Sequence, residues 1–372
     1  MTKDKAMKVG VVGCGNISGI YLKNAAWLDD IEIVACSDLD MGKAQAQAQE
    51  YGVARACTVD ELMGDNDIDI VLNLTVPHAH AAVATQALES DKHVYGEKPL
   101  AVTREEARTV LRVAKEKKLR VGSAPDTFMG GAIQTCRKLI DDGVIGEPVA
   151  ASAAMQCRGH ETWHPNPGFY YQPGGGPMFD MGPYYITALI ALLGPARRVT
   201  GASRITFPRR TITSKPKHGE VIEVTTATHI SGTIDFENGA IATVTTSFDV
   251  CAHHLPCIEI YGSKGSISVP DPNSFGKARD GLHPIRVWTA DAREWQEVDY
   301  THGYRENSRG VGLADMARAI RTDRVHRADG EMAYHVLDIM QSFLDASENG
   351  AHVQLESTCA RPAALAPEGI AD

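Results

Sequence analysis

The first third of the chain alternates short apolar runs with amphipathic segments. The apolar runs have the length and β-branched content of buried strands, and the segments between them carry apolar residues at helical spacing. Strands that alternate with helices predict a parallel, doubly wound α/β sheet, which binds ligands beyond the carboxyl ends of its strands. The predicted strands are Lys8–Gly13, Ile31–Cys36, Asp69–Val76, His93–Tyr95 and Arg120–Ser123, and the predicted helices are Ile20–Leu28, Lys43–Tyr51, Ala79–Leu88 and Thr103–Lys118.

The pattern changes after Pro125, where β-rich runs and hairpin turns replace the alternation. Asn238-Gly239 lies between two such runs and is a strong hairpin signal. These segments predict a second domain of α+β type with a largely antiparallel sheet. Its predicted strands are Glu147–Cys157, Glu223–Phe236, Ala240–Val250, Cys257–Tyr261, Ser266–Val269, Ile285–Thr289 and Trp295–Tyr300, and its predicted helices are Gly131–Asp142, Gly312–Arg321 and Glu331–Ser347. We therefore predict an α/β domain over residues 1–125, an α+β domain over residues 126–358 and a loose Ala/Pro-rich tail over residues 359–372.

Composition and charge restrict the expected partners and location of the 372-residue chain. The formal net charge of −10 argues against nucleic acid or an anionic membrane as a partner, and no Lys/Arg run contradicts it. No apolar stretch is long enough to span a bilayer, and the segment Met1–Lys5 lacks the features of a secretory signal. The eight cysteines are scattered without a C-x-x-C pair, which favours reduced thiols and a cytoplasmic location.

A glycine-rich turn follows the first predicted strand. Gly13 permits a tight turn, and Gly15 lets backbone N–H groups approach a pyrophosphate at the start of the next helix, near Asn16 and Ile17. The second strand leads into Asp38, whose carboxylate would accept hydrogen bonds from the adenosine ribose hydroxyls. Strand, turn, helix and acid together form the dinucleotide-binding fingerprint. Asp38 would repel a 2′-phosphate and no arginine follows it closely, so the predicted cofactor is NAD, with NADP less favoured.

Two more strand ends carry candidate cofactor contacts. Thr75, Pro77 and His80 follow the third strand, and Glu97 and Lys98 follow the fourth. Both ends point toward the cofactor cleft of a doubly wound sheet. For His80, a polar position in the first turn of a helix fits the sequence equally well. A proline follows Lys98 and keeps it out of a helix, and partial desolvation at a strand end is how a lysine becomes an acid or base near neutral pH.

A polar and aromatic loop, Arg158–Tyr171, occurs in the second domain. His160-Glu161-Thr162-Trp163-His164 inside it matches the H-E-x-x-H zinc pattern by letter. The neighbouring glycine and prolines disfavour the helix on which that pattern depends, so no metal is predicted. The loop could line a polar substrate pocket, and a solvated loop anchored by its aromatic residues is the alternative.

A triple glycine, Gly174–Gly176, precedes Asp180 and Tyr184. A helix that starts by position 177 would place Asp180 and Tyr184 one turn apart on one face, with a kink at Pro183. A tyrosine hydroxyl, which ionises at about pH 10, needs a nearby cation to act as a base. Lys98 is the predicted cation if both side chains lie over the nicotinamide. A capping aspartate beside a half-buried tyrosine is the alternative.

These motifs together resemble the glucose–fructose oxidoreductase/inositol dehydrogenase (Gfo/Idh/MocA) family over nearly the whole chain. The shared features are Gly13-x-Gly15, Asp38, Glu97-Lys98-Pro99, Gly174–Gly176 and Asp180-x-x-x-Tyr184. The resemblance implies an N-terminal Rossmann domain and a C-terminal domain with a large open sheet that commonly builds homodimers or homotetramers. It also implies that Lys98, Asp180 and Tyr184 surround the substrate carbinol. The inositol-dehydrogenase branch has histidine where this chain has Tyr184.

The function that the resemblance implies is NAD-dependent oxidation of a secondary hydroxyl of a sugar, glycoside or polyol, or reduction of the keto form. Lys98 and Tyr184 would be the proton-transfer pair. The side chains predicted to contact the substrate are Lys98, Arg158, His164, Asp180, Tyr184 and His302. Two alternatives remain open. One is an NAD-dependent glycoside hydrolase or isomerase with transient internal oxidation, and the other is a non-enzymatic NAD-sensing regulator.

Overall fold

The computed structural model describes residues 6–278 and 281–370, and the chain forms two compact units. The first unit contains the chain up to Met129, Glu306–Leu337 and the segment from Leu365, and the second contains Gly130–Arg305 and Asp338–Ala364. The sequence division placed residues 126–358 in one domain and therefore missed the return of residues 306–337 to the first unit.

The first unit contains a five-stranded parallel sheet, as the alternating pattern predicted. Its strands are β1 (Met7–Val12), β2 (Ile31–Ser37), β3 (Ile70–Asn73), β4 (His93–Gly96) and β5 (Val121–Ser123). They lie in the order β2-β1-β3-β4-β5, so the strand order reverses between β1 and β3, where a doubly wound sheet binds its ligand. β3 ends before the predicted Val76 because the Asn73 side chain accepts hydrogen bonds from Thr75 and turns the chain.

Helices connect the strands of the first unit. They are α1 (Ser18–Ala25), α2 (Met41–Tyr51), α3 (Val59–Met63), α4 (Pro77–Glu89) and α5 (Arg104–Lys117). α5 begins with a capping box, in which Thr103 and Glu106 each accept a hydrogen bond from the other's backbone N–H. α1 ends at Ala25 rather than at the predicted Leu28, because the next residues form a turn. The short helix α3 was not predicted.

The second unit contains a nine-stranded sheet with two short strand pairs beside it. Its strands, in chain order, are β6 (Pro148–Gln156), β7 (Ala196–Arg204), β8 (Arg209–Thr211), β9 (Val221–Glu223), β10 (His229–Phe236), β11 (Ile241–Ser247), β12 (Ile258–Gly262), β13 (Gly265–Val269), β14 (Lys277–Ala278), β15 (Gly281–Leu282), β16 (Ile285–Thr289), β17 (Trp295–Val298) and β18 (Val353–Gln354). The sheet order is β17-β16-β13-β12-β6-β11-β10-β7-β18, and neighbours pair antiparallel except β6 with β11. The predicted antiparallel character and the hairpin at Asn238-Gly239 are confirmed.

One face of this sheet is buried and apolar, and the other is exposed. On β11, Ala242 and Val244 are buried whereas Ile241 and Thr243 are exposed. The helices of this part of the chain are α6 (Gly131–Asp141), α7 (Gly176–Asp180) and α8 (Gly182–Leu193). α8 is buried along its whole length and packs against β6. The alternation along each strand therefore separates a core face from a free face.

Two helices lie between β17 and β18 in the chain. They are α9 (Val311–Arg321) and α10 (Gly330–Asn349). α9 belongs to the first unit, where the sulfur of Met316 lies against Gly122 of β5. This packing explains why residues 306–337 group with the first sheet. Within the described residues, no helix combines the length and the apolar character that crossing a membrane requires.

The tail that begins after Thr358 was predicted to be loose, and this prediction is wrong. The guanidinium of Arg361 donates to the carbonyl oxygens of Ala191 and Leu192, at 3.1 and 2.5 Å. These carbonyls lie at the end of α8, where a helix leaves its last acceptors without partners of its own. The tail is ordered because it supplies those partners, and Leu365 is buried further along it.

Candidate active site

The glycine-rich turn of the first unit has the shape that a dinucleotide needs. Gly13 has a φ of +100°, and a Cβ there would lie 2.7 Å from the backbone of Leu74. A Cβ on Gly15 would instead have no heavy atom of the described residues within 4 Å. Asn16 is exposed and Ile17 is half-buried, just before α1. The open space at Gly15 therefore fits a pyrophosphate that approaches the helix N-terminus.

Asp38 lies beside this turn, at the end of β2. Its Oδ2 accepts the Cys14 backbone N–H at 2.8 Å, and its Oδ1 accepts that of Asp40 at 2.9 Å. Each carboxylate oxygen keeps a further lone pair for a ribose hydroxyl. The sequence analysis did not select Leu39 and Val76 as candidate site residues, and both are strongly exposed at the ends of β2 and β3. An apolar residue directly after a strand-end acid was the signal that could have identified Leu39.

The end of β3 is organised around Asn73. Its Oδ1 accepts the Thr75 hydroxyl at 2.6 Å, and its Nδ2 donates to the His80 carbonyl oxygen at 3.0 Å. The His80 ring is only 2% exposed, and its nitrogens lie 2.6 Å from the Pro99 carbonyl oxygen and 3.0 Å from that of Thr75. Burial lowers the pKa of His80. This placement argues against the predicted cofactor contact, because the ring instead ties the β3 end to the loop that carries Lys98. Pro77 is the first residue of α4.

The loop after β4 holds Lys98 through its neighbour Glu97. Glu97 is buried, and its Oε1 accepts the Tyr21 hydroxyl at 2.8 Å. Its Oε2 accepts the backbone N–H of Lys98 at 3.0 Å, and its own N–H donates to the Asn73 carbonyl oxygen at 2.9 Å. The Lys98 side chain is half-buried. Glu97 therefore fixes the backbone at Lys98, whereas the sequence analysis had counted it as a cofactor contact.

A buried acid of the first unit was not identified from the sequence. Asp126 is 1% exposed, and its Oδ2 accepts the backbone N–H groups of Gly310 and Gly312 at 2.8 and 3.0 Å. Its Oδ1 and the Tyr95 hydroxyl have no hydrogen-bond partner among the described residues. Burial raises the pKa of Asp126 to about 6. The sequence around Asp126 has no motif that would have indicated this.

The triple glycine of the second unit is packed against the protein's own backbone. A Cβ on Gly175 would lie 2.5 Å from the Phe169 carbonyl oxygen, and one on Gly176 would lie 2.7 Å from that of Ala227. Gly174 and Gly176 both have positive φ angles, 83° and 74°. These glycines thus allow close packing of the backbone against other backbone of the same unit.

Asp180 and Tyr184 lie on two helices rather than on the single kinked helix that was predicted. α7 ends at Asp180, and α8 starts at Gly182. The N–H of Met181 donates to the Pro177 carbonyl oxygen, and that of Tyr184 donates to the Met181 carbonyl oxygen. Pro183 has no N–H with which to continue α7, so the helix breaks just before it. Asp180 is partly exposed and Tyr184 is buried.

A buried ion-pair network holds the polar loop of the second unit. Glu161 and Arg210 are both buried and lie 2.7 Å apart, and Arg210 also pairs with Asp249. The Tyr171 hydroxyl donates to Glu161 as well. A Cβ on Gly159 would lie 2.4 Å from the Tyr171 hydroxyl, so no residue with a side chain fits at this position. Glu161 of the H-E-x-x-H sequence is therefore a structural anion.

The histidines of the same sequence face the aromatic part of the loop. The His160 Nε2 lies 3.3 Å from Asp180 Oδ2. The His164 ring is 5.3 Å from the Tyr170 ring, and its pKa is lowered by partial burial. Trp163 is 61% exposed. In the part of the chain that the structure describes, no three His, Cys, Asp or Glu side chains are grouped to hold a metal ion.

The remaining predicted substrate contacts occupy different surroundings. The Arg158 side chain is exposed, with its guanidinium carbon 5.4 Å from the Phe207 ring centroid. His302 is 4% exposed, and its Nδ1 lies 2.9 Å from the Thr301 hydroxyl. The burial of His302 argues against the predicted contact with a substrate hydroxyl. His164 and Asp180 are the predicted contacts that the second unit brings into one region, together with His160, which the sequence analysis did not select.

Comparison with known proteins adds to this geometry. Residues 7–124 match the model of an oxidoreductase family with an NAD-binding Rossmann fold. Residues 133–268 match the model of the GFO/IDH/MocA C-terminal domain. The predicted family, fold class and cofactor are thereby confirmed, and so is the prediction that the protein is an oxidoreductase.

Individual relatives are similar over different lengths. D-glucoside 3-dehydrogenase of Escherichia coli (strain K12) is 25% identical over 362 residues, which are 94% of this chain and 97% of that protein. Inositol 2-dehydrogenase of Salmonella typhimurium is 32% identical over 149 residues, which are 38% of this chain and 44% of that protein. A solved structure of levoglucosan dehydrogenase in complex with NADH and L-sorbose has a TM-score of 0.81 at 21% identity and covers 94% of this chain and 99% of its own. At this identity the last comparison concerns the fold alone. From the two family models, the chain belongs to the Gfo/Idh/MocA family of oxidoreductases, whose Rossmann domain binds NAD.

Proposed function

We propose that the protein is an NAD-dependent dehydrogenase that oxidises a secondary hydroxyl of a sugar, glycoside or polyol, or reduces the corresponding ketone. The observation that carries this proposal is the polar and aromatic loop beside Asp180, which the ion pair between Glu161 and Arg210 holds in place. A carbohydrate offers hydroxyl groups to carboxylate and imidazole side chains, and it offers apolar ring faces to aromatic side chains. The similarity to a glucoside dehydrogenase and an inositol dehydrogenase supports the same substrate class.

The proposed roles divide the reaction among three side chains. When bound, NAD supplies the acceptor for the hydride that leaves the substrate carbon. Tyr184 takes the proton of the reacting hydroxyl, and the Lys98 ammonium stabilises the negative charge that develops on oxygen. Asp180 accepts a hydrogen bond from a neighbouring hydroxyl and so fixes which carbon reacts. General base assistance of this kind contributes about 10²- to 10⁴-fold to a rate.

The cofactor contacts that we propose all belong to the first unit. Gly13, Gly15, Asn16 and Ile17 would bind the pyrophosphate, and Asp38 would bind the adenosine ribose. Exposed apolar side chains at the same strand ends would cover the adenine, and these are Leu39 and Val76. The loop residues proposed nearer the nicotinamide are Thr75, Pro77 and Lys98.

The exposed aromatic side chains of the loop are the proposed platform for the substrate. Trp163 and Phe169 are both more than half exposed, and His164 lies between them, with ring centroids 5.3 and 5.5 Å away. Contiguous exposed apolar surface of this kind marks an interaction or ligand-binding site. We therefore expect the apolar face of a sugar ring, or the aglycone of a glycoside, to pack on Trp163 and Phe169.

We also propose a homodimer or homotetramer that assembles through the exposed face of the large sheet. Ile241 is 50% exposed on that face, between β-strand neighbours that carry mainly small and hydroxyl side chains. An exposed face with small side chains can pack closely against its own copy. Light scattering after gel filtration should give a mass of two or four chains, and a monomer would contradict the proposal.

The first test is the absorbance of reduced nicotinamide with purified protein, NAD or NADP, and a panel of sugars, glycosides and polyols. Growth of the signal with NAD and part of the panel is the expected result, and that part names the substrate class. No signal, with NAD recovered from the denatured protein, would favour the hydrolase or isomerase that oxidises its substrate transiently. A protein that binds NAD and responds to it without any sugar would fit the regulator.

A further inference from the structure

His160 connects the exposed surface of the polar loop to Asp180. Its Nε2 lies 3.3 Å from Asp180 Oδ2, and its Nδ1 lies 3.2 Å from Nε1 of Trp163. The three side chains therefore form one series of hydrogen bonds that ends at a carboxylate. His160 and Asp180 are both mostly shielded from solvent, at 12% and 18% side-chain exposure.

The donors in this series determine where the imidazole proton lies. An indole N–H can only donate, so Nδ1 of His160 must accept the hydrogen bond from Trp163. The ring proton then lies on Nε2, which faces an acceptor, the carboxylate of Asp180. Trp163 thus selects the tautomer of His160 that can donate to Asp180.

The surroundings of His160 prevent its ring from turning away. The ring centroid lies 4.2 Å from that of Tyr170 and 4.5 Å from that of Phe248. The backbone N–H of His160 donates to the Tyr171 hydroxyl at 3.1 Å. The next residue, Glu161, is fixed by its buried ion pair with Arg210. A ring packed on two sides and held at its backbone is a preorganised donor.

We propose that His160 is the positioning residue of Asp180 and that Trp163 holds it in the required tautomer. This inference rests on the proposed function, in which Asp180 orients the substrate. With Oδ2 engaged by His160, the plane of the carboxylate is fixed and Oδ1 is directed to a substrate hydroxyl. The loop that carries the aromatic platform thereby also sets the geometry of the acid.

Two amide substitutions test the direction of the hydrogen bond. The amide of H160Q reaches the position of Nε2, whereas the shorter amide of H160N reaches only the position of Nδ1. We expect H160N to lower kcat/KM for the best panel substrate by about 10- to 100-fold, because a misoriented group loses this much, while H160Q keeps most of the activity. NAD affinity should stay unchanged in both. Equal losses in H160N and H160Q would overturn the proposal, since a ring needed only for packing is lost in both.

A double substitution tests whether His160 acts through Asp180. In a D180N background, H160N should cause almost no further loss, because the group that it positions is already changed. W163F keeps the aromatic ring and removes the indole N–H, so it should lower kcat/KM by about 2- to 10-fold. H218F and W295F change an exposed histidine and an exposed tryptophan elsewhere in the second unit and serve as controls. A loss from H160N that is equally large in the D180N background would overturn the proposal.

A spectroscopic measurement separates this proposal from the proposed function. If the wild-type protein oxidises no panel member, the proposed function fails, but the tautomer can still be read from ¹⁵N shifts of labelled histidine rings. H160Q identifies the His160 signals by their loss. We expect a protonated Nε2 and an unprotonated Nδ1 in the wild type, and a smaller fraction of this tautomer in W163F, where only Asp180 still favours it. A protonated Nδ1 in the wild type would overturn the proposed series of hydrogen bonds from Trp163 through His160 to Asp180, whatever the activity.

Discussion

The two glycine-rich turns of the molecule require glycine for different reasons. A Cβ on Gly15 of the first unit would have no described heavy atom within 4 Å. In the second unit, a Cβ on Gly175 or Gly176 would lie 2.5 or 2.7 Å from a backbone carbonyl oxygen. The first turn is open at Gly15 and fits a ligand there, although its Gly13 is packed against the Leu74 backbone, whereas the second turn is filled by the protein itself at Gly175 and Gly176. A run of glycines in a sequence does not distinguish these cases, and the surrounding backbone does.

The largest effect that this contrast predicts is loss of turnover without loss of NAD binding. Lys98 and Tyr184 lie outside the open turn, so K98A and Y184F should each lower kcat by about 10²- to 10⁴-fold, the contribution of general acid–base catalysis. The NAD dissociation constant, measured by calorimetry, should remain nearly unchanged, because both variants keep the proposed pyrophosphate and ribose contacts at Gly13, Gly15 and Asp38. K115A and Y185F are matched controls, because Lys115 is an exposed residue of α5 and Tyr185 is the neighbouring tyrosine. Loss of NAD binding in both site variants would contradict the assignment.

The filled turn predicts a large effect on stability. G176A introduces a Cβ close to the Ala227 carbonyl oxygen at a position with a φ of +74°. Backbone strain and overpacking each cost about 1–3 kcal/mol, so we expect the free energy of unfolding to fall by about 2–6 kcal/mol. Urea denaturation followed by circular dichroism measures this change.

G219A is the matched control for that stability loss. Gly219 also has a positive φ, 90°, but a Cβ there would have no heavy atom of the described residues within 4 Å. G219A should therefore show only the cost of the backbone conformation, about 1 kcal/mol. Equal losses in G176A and G219A would mean that the close contact at Gly176 contributes nothing.

From the sequence, candidate site residues could be selected where the signal lies in residues that are neighbours in the chain. The turn at Gly13 and Gly15, the acid at Asp38 and the lysine at the end of β4 follow from local patterns that imply a strand edge. The prediction of a single helix through Asp180 and Tyr184 was wrong. The sequence showed that Pro183 disturbs a helix, but it did not show that a second helix would begin there.

The parts that the sequence did not predict depend on residues far apart in the chain. The bond between His160 and Asp180 and the ion pair between Glu161 and Arg210 have no characteristic spacing. The H-E-x-x-H match drew attention to these side chains for a different reason, as candidate metal ligands. Only the fold brings Arg210 under the loop and turns His160 toward the acid, so no local pattern could have identified either partner.

The carboxylate of Asp126 is surrounded by protein, but its Oδ1 has no hydrogen-bond partner among the described residues. Its pKa is raised to about 6 from 3.8, so between about pH 4 and pH 6 the folded state binds more protons than the unfolded state. Stability therefore falls as the pH rises through this window and levels off above it. The shift of about two units corresponds to about 3 kcal/mol at most.

D126N should remove this dependence. The amide oxygen can accept the N–H groups of Gly310 and Gly312, and no charge is buried at high pH. We expect D126N to be more stable than the wild type at pH 8 by about 1–3 kcal/mol, and the difference to vanish near pH 4. Asp329, with a pKa raised to about 6, titrates in the same window, so the difference between the two proteins is the quantity to measure. D67N, at an exposed aspartate, is the control, and a pH-independent gain in D126N would contradict this account.

The open turn makes the smallest but most specific prediction. The φ of Gly15 lies outside the left-handed region and its surroundings are empty, so G15A should leave the free energy of unfolding unchanged or raise it slightly through the unfolded chain. The added methyl group should nevertheless obstruct a pyrophosphate and weaken NAD binding by about 10-fold, equal to about 1.4 kcal/mol. Urea denaturation and calorimetric titration with NAD measure the two effects on the same sample. If NAD affinity were unchanged in a stable G15A, the space at Gly15 would not be the pyrophosphate site. If G15A instead lost stability as G176A does, the distinction between an open and a filled turn would fail.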